Sequence, residues 1–318
     1  MRTILSAALA GLALAAALPA QAQYPARPIR VIVPFPAGSA NDQVARFVQP
    51  QMSQGLGQQV VIENRPGAGG NLGASAAAKL PPDGYNLMMG NIAQAISATL
   101  YTNLDYDFVK DFIPISLVAT GSFMLATHPS LPPKSVKELI AFSKQRPGEI
   151  NVATSGAAIQ LAAKLFQRMA GVKMTEVNYK GTPQAIISMV SGETSMGFPS
   201  TSATVPQVRA GKLRALAVTS TNRSSMAPKV PTIAEAGLPG YEVTSWYGLV
   251  APKGTPPDLV TKLHDAVVKA LQHPSVKKRF DTTDLDSVGS TPDQYGALIR
   301  KETERWGKLI REFGMKAN

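Results

Sequence analysis

The reading of this chain turns on Arg30-Val31-Ile32-Val33-Pro34-Phe35-Pro36-Ala37-Gly38-Ser39-Ala40-Asn41-Asp42-Gln43-Val44-Ala45-Arg46. Val31 to Val33 form a short β-branched run suited to a buried strand, and Pro34 and Pro36 end it by fixing φ and removing backbone donors. Gly38 frees the backbone, and Ser39, Asn41 and Asp42 are residue types that cap a helix start by accepting from its first amides. The helix expected next keeps Val44, Phe47, Val48 and Met52 on one face. Strand, stiff turn and helix start make a βα loop suited to an anion. The first amides of a helix have no intrahelical partner and carry the positive end of its dipole, so a carboxylate there needs no Arg or Lys. An ordinary βα connection fits the same residues equally well, and the rest of the chain has to separate the two readings.

Upstream, Arg2, an apolar run from Ile4 to Leu18 and Ala20-Gln21-Ala22 match the charged, apolar and small-residue parts of a secretory signal peptide over residues 1–22. Cleavage is expected before Gln23. A retained anchor fits less well, because ~15 apolar residues fall short of the ~20 that span a bilayer. Some 296 residues then remain, more than one typical core, so two domains are expected. The chain has no cysteine. In an oxidising compartment that rules out disulfides, thiolate metal sites and cysteine nucleophiles together. The formal net charge is +11, but the basic residues are scattered. The longest cluster, Lys277-Lys278-Arg279, stands beside Asp281, and no basic stripe alternates with aromatics, which argues against nucleic acid and for a surface that attracts anionic solutes.

Downstream, Gly55 and Gly57 close the first helix, and Pro50 inside it is expected to kink it or start a new turn. Val60 to Ile62 begin a second strand. The glycine-rich Glu63-Asn64-Arg65-Pro66-Gly67-Ala68-Gly69-Gly70-Asn71-Leu72-Gly73 then resembles a dinucleotide fingerprint, but the spacing fails: counted from Gly67, G-x-G-x-x-G puts Leu72 in the third glycine's place. No acid follows the next strand, Tyr85 to Met89. A close-packed turn is the better reading. Strands recur at Ile113 to Ala119 and Ser122 to Ala126 after a helical or irregular Ile92 to Phe112. A capping box at Ser135 to Glu138 opens a helix ended by Pro147-Gly148. Asn151-Val152-Ala153-Thr154-Ser155-Gly156-Ala157-Ala158 then repeats the opening motif: strand, small polar turn, helix, and a second anion-friendly helix start. Further strands at Thr175 to Asn178, Thr194 to Phe198 and Leu213 to Thr219 continue the βα rhythm of a mainly parallel α/β architecture. Val243 to Val250 reads as a strand that crosses between domains. Two core-facing helices, from Pro257 and from Pro292, complete the chain.

Catalytic constellations do not stand out. His128 and His273 each precede a proline, His264 lies on a charged helical face, and no H-x-H, H-E-x-x-H or G-x-S-x-G occurs. Asp105, Asp107 and Asp111, and again Asp281, Asp284 and Asp286, lack EF-hand spacing and read as solvated loops. The expectation is a binding protein with no cofactor and no metal, rather than a secreted enzyme acting on a carboxylated metabolite.

These motifs also carry a resemblance. Tyr24-Pro25 with Pro28-Ile29-Arg30, Val33-Pro34-Phe35-Pro36-Ala37-Gly38, Glu63 to Gly70, Pro82-Asp83-Gly84-Tyr85, Gly211 to Thr219 and Pro231-Thr232 with Glu235-Ala236-Gly237 resemble, in order, the Bug-type extracytoplasmic solute receptors of tripartite tricarboxylate transporters. The resemblance implies a periplasmic two-domain flytrap with two interdomain crossings, with residues 24–124 and 246–318 in one domain and 125–245 in the other. It implies a monomer that binds a small carboxylate in the interdomain cleft and presents it to membrane permease subunits. A ligand-sensing receptor that signals to a membrane partner would share these features. Carried onto this chain, the expected ligand-binding residues are Phe35, Pro36, Ala37, Gly38, Ser39, Asn41 and Asp42 in the first loop. Thr154, Ser155, Gly156, Ala157 and Ala158 stand in the second, with Asn91, Gln94, Phe198 and Ser200 beside them. Three departures bear on the ligand. Ser39 replaces a glycine, the second loop is about two residues shorter with Ala157-Ala158-Ile159 where hydroxyl residues are expected, and Pro199 follows Phe198 where an Asp is common. Fewer polar groups favour a less hydrated carboxylate, aromatic or longer-chain.

Overall fold

The structure, a computed structural model, describes residues 24–316, and the expected signal peptide lies outside them. Eleven strands among these residues form two sheets. The first sheet contains β1 (Ile29–Val33), β2 (Val60–Asn64), β3 (Asn86–Asn91), β4 (Phe112–Ser122), β10 (Thr244–Pro252) and β11 (Leu285–Ser287), ordered β11-β4-β10-β3-β1-β2. The second contains β5 (Met124–Thr127), β6 (Asn151–Thr154), β7 (Thr175–Asn178), β8 (Met196–Gly197) and β9 (Arg214–Val218), ordered β7-β6-β8-β5-β9.

Both sheets are mixed rather than mainly parallel. Parallel pairing holds for β2-β1-β3 and β7-β6-β8, where helical crossovers connect the strands. The pairs β10·β3, β10·β4, β11·β4, β5·β8 and β5·β9 are antiparallel. These involve the strands that leave or re-enter a sheet. A chain coming back from the other sheet can enter in the opposite direction, with no crossover helix to impose a parallel one.

The chain passes between the sheets at Phe123 and again along 219–243. The two crossings are tied together. The Thr219 amide donates to the Phe123 carbonyl at 2.9 Å, the buried Thr219 hydroxyl accepts from the Phe123 amide at 2.9 Å, and it donates to the Val243 carbonyl at 2.6 Å. One apolar cluster joins Ile32 and Trp246 from the first sheet to Phe166 and Phe198 beside the second.

Helix α1 (Ala40–Leu56) continues through Pro50, so no new helix starts there. Proline at position 50 removes the amide that the Arg46 carbonyl would accept. Arg279 Nη1 donates to that carbonyl instead, at 3.0 Å. Arg279 belongs to a helix the sequence reading passed over, α9 (Pro274–Asp281), which follows α8 (Pro257–Gln272); β11 after it was passed over too. The remaining helices, in chain order, are α2 (Asn71–Ala78), α3 (Ile92–Leu100), α4 (Val136–Gln145), α5 (Gly156–Ala170), α6 (Thr182–Ser191), α7 (Thr201–Arg209) and α10 (Pro292–Glu312). Among the described residues, no helix is long and apolar enough to cross a membrane.

Candidate functional site

A cleft of about 520 Å³ lies between the sheets. The first-sheet side supplies Phe35, Gly69, Asn91, Ile92, Ala93, Ile96, Ser97, Leu100 and Tyr101; the second supplies Ser155 to Gln160 and Asn178. Phe123, Ser245 and Tyr247 from the crossings close its floor, and Lys316 reaches it from the C-terminal tail. Alternation along β10 explains the choice of side chains. Ser245 and Tyr247 face the cleft, while Thr244 and Trp246 face a separate cavity on the other side of the strand.

The two helix starts singled out in the sequence have different fates. At α1, Ser39 Oγ accepts from the Asp42 amide at 3.3 Å, and Asp42 turns its carboxylate back into the loop. Asp42 Oδ2 accepts from the Gly38 amide and from Arg46 Nε, both at 2.9 Å, and Oδ1 accepts from Asn64 Nδ2 at 2.9 Å. Asn64 also donates to the Phe35 carbonyl at 3.0 Å, holding the loop that carries Phe35 into the cleft. Burial alone would raise the Asp42 carboxyl, but the Arg46, Gly38 and Asn64 contacts outweigh it and hold the group below its ordinary value. The Asp42 carboxylate is therefore turned back onto the Gly38 amide ahead of the helix rather than outward, while Ala40 and Gln43 of the α1 start border a smaller cavity beside the cleft. Asn41 and Asp42 are 2 % exposed, and neither they nor Pro36, Ala37, Gly38 and Ser39 line the cleft.

At α5 no side chain caps the helix. Ser155 is the N-cap, extended at φ −154° and ψ 114°, and its hydroxyl lies 3.5 Å from Thr182 Oγ1 instead of accepting from the first turn. Gly156 adopts φ +71° with open space where a Cβ would stand, as Gly38 does at φ +82° before α1. Ser155, Gly156, Ala157 and Ala158 all border the cleft, whereas Thr154 is fully buried beneath them, its hydroxyl near the Val177 carbonyl and Asn178 Oδ1. The first amides of α5 open into the cleft with the positive end of the helix dipole behind them.

Of the other expected site residues, Asn91 borders the cleft and caps α3: its Oδ1 accepts from the Ala93 amide at 2.8 Å. Gln94 completes a capping box by accepting from the Asn91 amide at 2.9 Å, and it is fully buried. A Cβ at Gly70 would lie 2.8 Å from Gln94 Nε2 and 2.9 Å from Phe35 Cζ. The glycine-rich loop is thus a turn packed against the site. Phe198 packs on Phe166 in the core, at 5.8 Å between ring centroids. Ser200 lines a smaller neighbouring cavity of about 200 Å³ with Ser122, Ser202 and Asp284, a carboxyl that burial pushes above its ordinary value. In the first acidic cluster Asp105 pairs with Lys79, and Asp107 with Lys110 at 2.9 Å, whereas Asp284 of the second is buried against the smaller cavity, contrary to the expected solvated loop.

Sequence reasoning missed the α3 wall, Tyr101, Phe123, Ser245, Tyr247 and Lys316. Two signals were visible. Asn91-Ile92-Ala93-Gln94 is a helix-start pattern, and Ile92, Ile96 and Leu100 follow it at four-residue spacing on one helical face.

A family model described as tripartite tricarboxylate transporter family receptor matches residues 44–315. Protein BugT of Bordetella pertussis is 37% identical over 297 residues, covering 92% of this chain and 91% of the relative. Among solved structures, Rpa4515 of R. palustris with adipate superposes with a TM-score of 0.80 at 34% identity, over 92% of this chain and 99% of that one. MatC of Rhodopseudomonas palustris with bound malate gives 0.75 at 33% identity, over 90% and 100%. The periplasmic binding protein BugD gives 0.77 at 32% identity, over 93% and 100%. PhnD1 of Prochlorococcus marinus, at 11% identity and a TM-score of 0.53, shares the fold alone. With two α/β sheets around a cleft and a match to this family along most of its length, the chain belongs to the Bug-type receptors of the tripartite tricarboxylate transporter family.

Proposed function

We propose that this protein is a periplasmic receptor that captures a small carboxylate in the intersheet cleft and delivers it to the permease subunits of a tripartite tricarboxylate transporter. It carries out no chemistry on its ligand. The observation that carries the reading is the uncapped start of α5 opening into the cleft, where backbone amides and the Ser155 hydroxyl await an anion. The adipate and malate bound by two relatives supply the ligand class. Residues 24–124 with 246–318, and 125–245, act as two domains that close about the ladder at Phe123, Thr219 and Val243. Ligand then contacts Phe35, Asn91 and the α3 face from one side and Ser155 to Ala158 from the other. Residues 1–22 act as an export signal removed on the way to the periplasm.

A thermal-shift panel of mono- and dicarboxylates, aliphatic and aromatic, tests the reading. At ~100-fold excess over its dissociation constant a ligand adds ~2.7 kcal/mol, a shift of roughly 5 °C for a chain of this size. At least one carboxylate should give it. A panel without any shift, alongside turnover of a carboxylate by the protein, would point to an enzyme instead.

A further inference from the structure

The cleft has a polar side and an apolar side. Ser155, Gln160 and Asn178 stand on the α5 side, whereas α3 faces it with Ile92, Ala93, Ile96 and Leu100. Ser97, the hydroxyl residue on that face, is buried to the same degree as Ile92 and Ile96, and Asn91 spends its Oδ1 on capping α3. Beyond the uncapped amides the first turn of α5 continues as Ala157-Ala158-Ile159, so a carboxylate seated there by backbone points its body between that apolar turn and the α3 face, with Gln160 and Asn178 beside it on the α5 side. Among the described lining residues, the single charged one is Lys316. The volume, about 520 Å³, also exceeds what a four-carbon diacid fills and lies within the range of sites that enclose larger organic ligands.

Resting on the receptor reading above, we propose that the cleft selects carboxylates borne on an apolar body, an aromatic ring or an unbranched chain of about six carbons, over short hydroxy- and amino-substituted diacids. The α3 face is the selecting surface. A hydroxyl or ammonium on a ligand body held against Ile92, Ile96 and Leu100 loses water and gains no partner from that face, the polar lining of Tyr101, Ser245 and Tyr247 standing elsewhere in the cleft, a penalty of roughly five- to a hundredfold in affinity. An apolar body in the same place releases water from both surfaces.

Calorimetric titration of the purified protein with benzoate, adipate, malate and aspartate tests the proposal. Benzoate or adipate should bind five- to a hundredfold more tightly than malate and aspartate. Leu100→Ala, at the half-buried end of α3, should weaken the preferred ligand about three- to tenfold by removing apolar contact while moving malate less than about twofold. Ala93→Ser, which adds a hydroxyl to the half-buried wall, should narrow the gap between adipate and malate. Melting curves of both variants check that the fold is intact, and with two variants the failure of one to fold leaves the other decisive. Malate or aspartate bound as tightly as benzoate and adipate, or an affinity ratio unmoved by a folded variant, would overturn this specificity while leaving the receptor reading in place. If none of the four binds, this specificity falls, while the receptor reading stands or falls with the wider thermal-shift panel.

Discussion

The contrast between α1 and α5 can be tested by giving α5 the carboxylate that α1 already has. Ser155 stands at the N-cap of α5, extended and 8 % exposed, with its hydroxyl unused by the helix. Ser155→Asp places a tethered carboxylate at the N-cap, beside the amides of the first turn. An N-cap bond contributes about 1 kcal/mol, and the dipole about 0.3 to 1 kcal/mol more. A gain of roughly 1 to 2 kcal/mol corresponds to a rise of about 2 to 3 °C in Tm. The same carboxylate competes with the ligand for those amides. A ligand that has to displace it loses at least that free energy, so affinity should fall about five- to thirtyfold, and like-charge repulsion adds to the loss. Stability and affinity should therefore move in opposite directions. Ser155→Ala is the control. It removes no helix-capping bond, so its Tm should stay within about 1 °C, while the lost hydrogen bond to a bound carboxylate weakens binding about five- to thirtyfold. Differential scanning calorimetry and titration with the best carboxylate measure both quantities. A variant Ser155→Asp that melts higher and binds as tightly as the parent would show that the carboxylate does not sit at α5.

Two further outcomes follow from named contacts. Asp42→Asn removes the ion pair with Arg46 and weakens the Gly38 and Asn64 contacts, at a cost of about 1.5 to 3 kcal/mol. Because the folded carboxyl lies below its ordinary value of 3.8, this contribution is complete above that value and fades as pH falls below it through the folded value. The Tm gap between parent and variant should be full at neutral pH and narrow in acid, and a gap constant down to pH ~3 would contradict the sign. At Gly248, a Cβ would lie 2.4 Å from Cζ of Tyr295, a fully buried ring. Gly248→Ala should cost about 3 kcal/mol by overpacking, roughly 5 °C in Tm, and an unchanged melting curve would show that Tyr295 has room to move.

The sequence by itself determined the elements and their alternation. β-branched runs, prolines that end them, cap residues and helical spacing are local signals, and they were enough for an α/β chain with two βα loops as the places to look. Tertiary structure decided which of those loops borders the cleft of about 520 Å³. Asp42 is buried in its own loop because Asn64, 22 positions away on β2, donates to it across the parallel β1·β2 pair. Ser155 lacks such a partner, and a one-dimensional reading gives both helix starts the same appearance. The continuity of α1 through Pro50 likewise depends on Arg279, 233 positions away. The mixed sheets escaped the βα rhythm because strand direction at a crossing depends on where the chain re-enters a sheet, and Thr219 joins Phe123, 96 positions distant, to Val243. The α3 wall was periodic in the sequence, but periodicity marks an apolar face without saying what it meets. Only the approach of the second sheet turned part of that face from core into the side of a cleft.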